Sequence, residues 1–178
     1  MCSSDLAQRR TYILSVTGAR TNFLVTTTNS LSVSSNAVVI SGVAPLEVDS
    51  ILVNGAAYPI TWGNVLSRPM GWSIRVPLAA GTNVFQFQGL DYKGNPIASA
   101  TGKVTVEYTG GNVDPENWVV INEFAYAPVN ADAEFVEIYN RHPDFTFNLS
   151  GWRVSGLNYT FPDGSYLQPR DRKSTRLN

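Results

Sequence analysis

The sequence predicts an all-β fold, with one complete β-sandwich over residues 22–108 and part of a second over 118–170. Three observations carry this expectation. Apolar and polar side chains alternate with a period of two in several short runs, which gives strands one buried and one wet face, as in antiparallel sheets. Turn signals separate the runs at short intervals, and no stretch shows the longer period of an amphipathic helix.

Taken in chain order, residues 7–21 begin with Arg9-Arg10 before Tyr12, Ile13, Leu14 and Val16. That apolar run is too short for its period to distinguish helix from strand, so 7–21 reads as the end of a preceding domain or a linker. From Asn22 onward period two takes over. Trp72, Ile74, Val76 and Leu78 alternate with Ser73, Arg75 and Pro77, and Phe85 and Phe87 alternate with Gln86 and Gln88. Val104, Val106 and Tyr108 alternate with Lys103, Thr105 and Glu107. Ala44-Pro45, Asn54-Gly55, Ala80-Gly-Thr-Asn83 and Lys93-Gly-Asn-Pro96 punctuate these runs. Asn-Gly between apolar runs signals a hairpin, because both residues tolerate positive φ. Residues 109–117 (TGGNVDPEN) have the composition of a linker. Four further strand patterns follow at 118–124, 134–139, 151–154 and 158–161, enough for half a sandwich.

Both ends look foreign to the rest. Asp171-Arg-Lys-Ser-Thr-Arg-Leu-Asn178 back-translates to GAT CGG AAG AGC ACA CGT CTG AAC, the sequence of a common library adapter. The reverse complement of the same adapter, entered at a GTG start codon, encodes Met1-Cys-Ser-Ser-Asp-Leu6. Residues 1–6 and 171–178 are therefore expected to be adapter-derived, and residues 7–170 to be the natural insert. On that reading the true termini are hidden and the second sandwich is incomplete. Its expected consequence is an unpaired sheet edge and an exposed apolar face.

Composition narrows the function classes. The chain has 178 residues, is 43% hydrophobic and 15% charged, and carries a net charge of −1, which argues against disorder. Lys93, Lys103 and Lys173 are its only lysines, so there is no basic footprint for nucleic acid. No apolar run approaches the roughly 18 residues of a spanning helix. The single cysteine, Cys2, lies in the adapter-like segment, so cysteine chemistry and a disulfide framework are not expected.

The candidate chemistry is sparse. His142 is the only histidine and sits in a polar turn, Arg141-His-Pro-Asp144, without a nucleophile elbow elsewhere. Glu123, Glu134 and Glu137 invite an acid/base pair, which glycoside hydrolysis would place roughly 5–9.5 Å apart across a cleft; structural hydrogen bonding is the preferred reading. Asp49, Asp91 and Asn95 offer oxygen ligands for Ca²⁺, but Asp91-Tyr-Lys-Gly-Asn95 reads better as a turn with glycine at the left-handed position. One histidine and no insert cysteine exclude structural zinc, and no phosphate-binding glycine pattern occurs. No cofactor is expected. Among the four tryptophans, Trp72 and Trp152 sit in alternating runs and should fill cores. Trp62, beside Gly63, is the candidate for stacking on a sugar ring. Asn148-Leu-Ser150 and Asn158-Tyr-Thr160 are glycosylation sequons, incidental in a bacterial source.

Several blocks resemble known families. Val120-Ile-Asn-Glu123, Glu134-Phe-Val-Glu-Ile-Tyr-Asn140, Asn148-Leu-Ser-Gly-Trp152 and Tyr159-Thr-Phe-Pro-Asp-Gly164 resemble, in order and spacing, the first half of the lamin-tail domain. That resemblance implies an immunoglobulin-like, non-catalytic sandwich. It makes Asn122, Glu123, Glu134, Phe135, Glu137, Asn140, Gly151, Trp152 and Phe161 motif residues with structural roles. Val39-Ile-Ser-Gly-Val-Ala-Pro45, Ile51-Leu-Val-Asn-Gly55, Trp72-Ser-Ile-Arg-Val-Pro-Leu78 and Leu90-Asp-Tyr-Lys-Gly-Asn95 are similar to immunoglobulin-like repeats that precede such domains in large exported bacterial proteins. Residues 8–14 (QRRTYIL) look like the last helix of a CotH-type kinase-like domain, which often lies upstream in such proteins. Together these imply a structural or interaction segment of an exported or cell-surface bacterial protein, with a protein or a cell-surface polysaccharide as partner. The alternatives are a carbohydrate-binding module and the accessory C-terminal region of a CotH-like kinase. Oligomeric state is not legible.

Overall fold

The computed structural model describes residues 22–63, 70–125, 135–155 and 159–176. The expectations for residues 1–21, for Glu134 and for the Asn158 sequon lie outside these. The described chain is nearly all β. Its strands are β1 (Leu24–Val25), β2 (Leu31–Val33), β3 (Ala37–Ala44), β4 (Ser50–Val53), β5 (Ala56–Ala57), β6 (Ile60–Trp62), β7 (Met70–Pro77), β8 (Gly81–Leu90) and β9 (Pro96–Tyr108). After a 3₁₀ turn at Pro115–Asn117 come β10 (Val119–Ala125), β11 (Phe135–Asn140), β12 (Phe147–Asn148), β13 (Arg153–Val154), β14 (Tyr159–Thr160), β15 (Tyr166–Leu167) and β16 (Arg172–Arg176). They form a four-stranded sheet ordered β1-β3-β7-β6, a five-stranded sheet ordered β2-β9-β8-β4-β5, a three-stranded sheet ordered β10-β11-β16, and two ribbons, β12-β15 and β13-β14.

By contacts the chain divides into two compact units. The first holds the described parts of Met1–Ser30, with Val39–Arg75 and Val84–Thr105. Its core follows the alternation in the sequence: Trp72 and Ile74 of β7, Phe85 and Phe87 of β8, and Ile51 and Val53 of β4 are all buried. Trp72 stacks on Phe23, ring centroids 5.6 Å apart, and meets Phe87 at 5.4 Å, so side chains of both larger sheets interleave in one core. Gly42 makes this packing feasible, since a Cβ there would overlap the Trp72 indole and the Leu24 carbonyl. Asn54 and Gly55 both adopt positive φ, 52° and 82°, and form the two-residue loop that joins β4 to β5.

The second unit holds the described parts of Leu31–Val38, Val76–Asn83 and Val106–Asn178. Two segments that the sequence places within 22–108 thus group with the C-terminal region. In this unit β2 runs parallel to the end of β9, Leu31 opposite Val106, beside the antiparallel pairings that the alternation implies. The physical reason is that β2 and β9 are not joined by a hairpin, so nothing forces reversal between them. The hydrophobic centre comprises Val136, Ile138, Phe147, Leu149, Phe161 and Leu167, with Trp118 and Trp152 among the half-buried residues packed around it. Trp152 precedes β13 rather than lying in a strand, because the Leu149-Ser-Gly-Trp152 turn, closed by the Trp152 N–H donating to the Leu149 carbonyl, ends the alternation there. β16 pairs antiparallel with β11, Phe135 opposite Arg176 through Tyr139 opposite Arg172.

Candidate functional site

The lamin-tail-like motif residues converge on structural hydrogen bonds. β10 and β11 pair with Ile121 opposite Ile138, and the register then shifts so that Glu123 faces Glu137. Asn122 occupies this bulge, and its Nδ2–H donates to Glu137 Oε1 at 2.6 Å. The same carboxylate meets Arg172 Nε at 3.4 Å and accepts from Ser174 Oγ at 3.4 Å. Glu123 is exposed on β10. The structure therefore places Glu137 in a lateral network on a sheet rather than opposite Glu123 across a cleft.

Asn140 closes β11 and is fully buried. Its Nδ2 donates to the Phe145 carbonyl at 2.7 Å and the Gln168 carbonyl at 2.8 Å, with the Leu167 carbonyl at 3.3 Å. Its Oδ1 accepts the His142 N–H at 2.9 Å. One amide thus ties the strand end to the 142–145 turn and to the 167–168 segment, which is why a polar residue is tolerated at full burial. His142 continues the arrangement. Its Nδ1 accepts the backbone N–H groups of Asp144 at 3.1 Å and Phe145 at 2.9 Å, and its ring meets Trp118 edge-on at 4.6 Å. An Nδ1 with both backbone donors on it is a turn-forming acceptor rather than a base aimed at a substrate.

Phe135 is half-buried at the start of β11, and Phe161 belongs to the core. Gly151 has φ 74°, the left-handed geometry that ends the Asn148-Leu-Ser-Gly-Trp block. A second buried amide, Asn36, has no counterpart in the sequence reading. Its Nδ2 donates to the Thr146 carbonyl at 2.6 Å, and its Oδ1 accepts the Thr146 N–H at 3.0 Å. The only local signal is an Asn just before an apolar strand, which turns commonly produce.

In the first unit, Asp91 serves its own turn. Oδ1 accepts the N–H groups of Lys93 and Asn95 at 2.8 and 2.9 Å, and Oδ2 accepts Asn95 Nδ2–H at 3.1 Å. The backbone and side-chain donors of Asn95, with that of Lys93, hold the carboxyl below its ordinary value. Gly94, at φ 80°, supplies the left-handed position expected of such a turn.

This turn also builds the wall of an open groove of about 370 Å³. Trp62, half-buried on β6, lines the groove with Met70, Tyr92, Leu46, Glu47, Asp49 and buried Val48. Trp62 is thus in a groove, beside residues the sequence did not single out. Tyr92 carried a signal in retrospect: a large aromatic inside a tight polar turn has no core to enter. A second, polar depression is lined by Asn54, Gln86, Gln88 and Lys103. There Asn54 is engaged by the backbone of β8, donating to the Val84 carbonyl at 3.0 Å and accepting the Gln86 N–H at 2.8 Å.

Residues 112–174 match the family model of the Lamin Tail Domain. No curated protein matches the chain. The match covers the 3₁₀ turn, β10, β11, the Asn140 turn and both ribbons, and it supports a lamin-tail domain, a non-catalytic immunoglobulin-like fold, in that part of the chain.

Proposed function

We propose that the chain is a non-catalytic spacing and interaction segment of a large exported or cell-surface bacterial protein. The observation that supports this is the engagement of its motif side chains. Asn122, Glu137 and Asn140 are hydrogen-bonded within the fold, in a region that matches a non-enzymatic family. On this reading the first unit represents an immunoglobulin-like repeat, an upstream CotH-type kinase-like domain is the neighbour it presents, and a protein is the partner it docks. Residues 1–6 and 171–178 are adapter translation.

Single-molecule pulling between terminal handles tests the spacer role. Discrete cooperative unfolding events are expected for folded β units, and smooth extension at low force without such events would remove the reading. Sequencing the encoding DNA across both ends tests the rest. Codons that differ from the adapter would overturn the adapter reading of the two ends, and an upstream domain without kinase-like nucleotide-binding residues would remove the CotH association.

A further inference from the structure

We propose that the groove beside Trp62 binds a lysine or arginine side chain presented by a basic protein segment, which would make it the docking point of the interaction role above. The inference rests on that reading for its biological setting but on its own geometry for the ligand. Leu46 and Tyr92 are 68% and 77% exposed, the two most exposed large apolar side chains among the described residues, and both line this one groove. Exposed apolar surface gathered at one place marks an interaction site more often than scattered residues do.

The walls are held before any ligand arrives. The loop carrying Leu46, Glu47 and Asp49 is tied by the Val48 N–H donating to the Pro45 carbonyl at 3.1 Å and by the Asp49 N–H donating to the Leu90 carbonyl at 2.9 Å. Trp62 is set by antiparallel pairing of β6 with β7, opposite Trp72. Tyr92 is carried by the Asp91 turn, whose carboxylate oxygens accept three hydrogen bonds. Such pre-organisation lowers the entropic cost of binding.

Charge selects the ligand. Glu47 and Asp49, both exposed carboxylates, line the groove together with the aromatic Trp62 and Tyr92. Aromatic faces and carboxylates together attract a cation carried on an apolar stem: the stem lies against Leu46 and Met70, and the head meets the rings and the carboxylates. The molecule shows this preference internally, since Lys93 Nζ lies 5.4 Å from the Tyr92 ring centroid. A volume of about 370 Å³ suits one or two side chains rather than a folded element.

Titration of the full chain with an acetylated, amidated Lys/Arg hexapeptide, followed by tryptophan fluorescence and calorimetry, tests the proposal, with cellohexaose and chitohexaose as neutral comparators. Saturable peptide binding that weakens several-fold from about 20 to about 200 mM salt is expected. Glu47→Gln with Asp49→Asn should weaken it about tenfold, and Trp62→Ala at least as much. Lys93→Ala should tighten binding about threefold by removing a competing ammonium, an effect that misfolding does not produce. Absence of peptide binding at millimolar concentration, binding insensitive to both carboxylates, or binding of an oligosaccharide in place of the peptide would overturn the proposal. Because pulling reads folded β units and titration reads the groove, failure of one is distinguishable from failure of the other.

Discussion

Replacing Asn140 with Asp keeps the size of the side chain and removes only its two N–H donors. In the native chain those donors serve the Phe145 and Gln168 carbonyls at 2.7 and 2.8 Å, with Leu167 nearby at 3.3 Å, at a residue with no exposure. The Phe145 carbonyl then loses this donor, at about 1–3 kcal/mol, while the Gln168 carbonyl keeps the Asp171 N–H at 3.2 Å, and a buried carboxylate aimed at carbonyl oxygens adds repulsion. A loss of about 2–4 kcal/mol at neutral pH follows, a large share of the roughly 5–15 kcal/mol that holds a domain together. The loss should depend on pH with a defined sign. Burial against carbonyls raises the folded pKa of the new carboxyl above its unfolded value of about 3.9. Stability of the variant is therefore greatest below that value and falls as pH rises through the folded pKa. Urea-dependent hydrogen exchange, read on peptides from 135–155 and 159–176 with peptides of the first unit as internal control, measures this. A penalty below about 1 kcal/mol at pH 7, or one that grows on acidification, would refute the idea that Asn140 acts by donating to those carbonyls.

Gly42→Ala should destabilise the first unit by at least about 1–3 kcal/mol, because the added methyl must displace the Trp72 indole or the Leu24 carbonyl; thermal unfolding followed by near-ultraviolet circular dichroism reads the change. Asn36→Ala should cost about 2–4 kcal/mol and raise exchange at Thr146, whose buried N–H and carbonyl both lose their partner. Asp91, held below the ordinary 3.8 by donors from Asn95 and Lys93, supplies stability that is present above that value and fades as pH falls through its depressed folded pKa; an Asp91→Asn variant measured from about pH 5 to about pH 2 should lose that part of the acid slope.

The legible part of this fold is the part written locally. Period two in β7 and β9 names Trp72, Ile74, Val76, Val104, Val106 and Tyr108, and all six are buried. Asn54-Gly55 and Gly94 mark turns because positive φ is a property of single residues. What the sequence conceals is long-range. Leu31 lies beside Val106, and Asn36 bonds Thr146 110 positions away; neither leaves a periodic trace. The groove is concealed for the same reason: Leu46, Trp62 and Tyr92 come from three separate turns and strands, and only Trp62 advertises itself by type. Asn140 was legible as a motif residue through resemblance, while its role as a hub required knowing which carbonyls converge on it.

The C-terminal edge shows how far a strand can form without specifying itself. β16 pairs with β11 over five positions, yet the core of the second unit includes none of its side chains among the described residues. Arg172 meets Glu137 at 3.4 Å with its own side chain 59% exposed, so that pair contributes little. The ladder is a backbone affair, open to any extended polar segment. The turn before it is less permissive. Arg170 has φ 58° in the turn that the Asp171 N–H closes on the Gln168 carbonyl at 3.2 Å, a conformation that disfavours a side-chain-bearing residue by about 1–2 kcal/mol. Arg170→Gly should accordingly raise stability by about 1 kcal/mol, less what glycine adds to the entropy of the unfolded chain. Denaturant unfolding with hydrogen exchange on the 159–176 peptides reads the gain. A loss of stability would mean that the arginine side chain supplies more to this edge than its backbone strain costs.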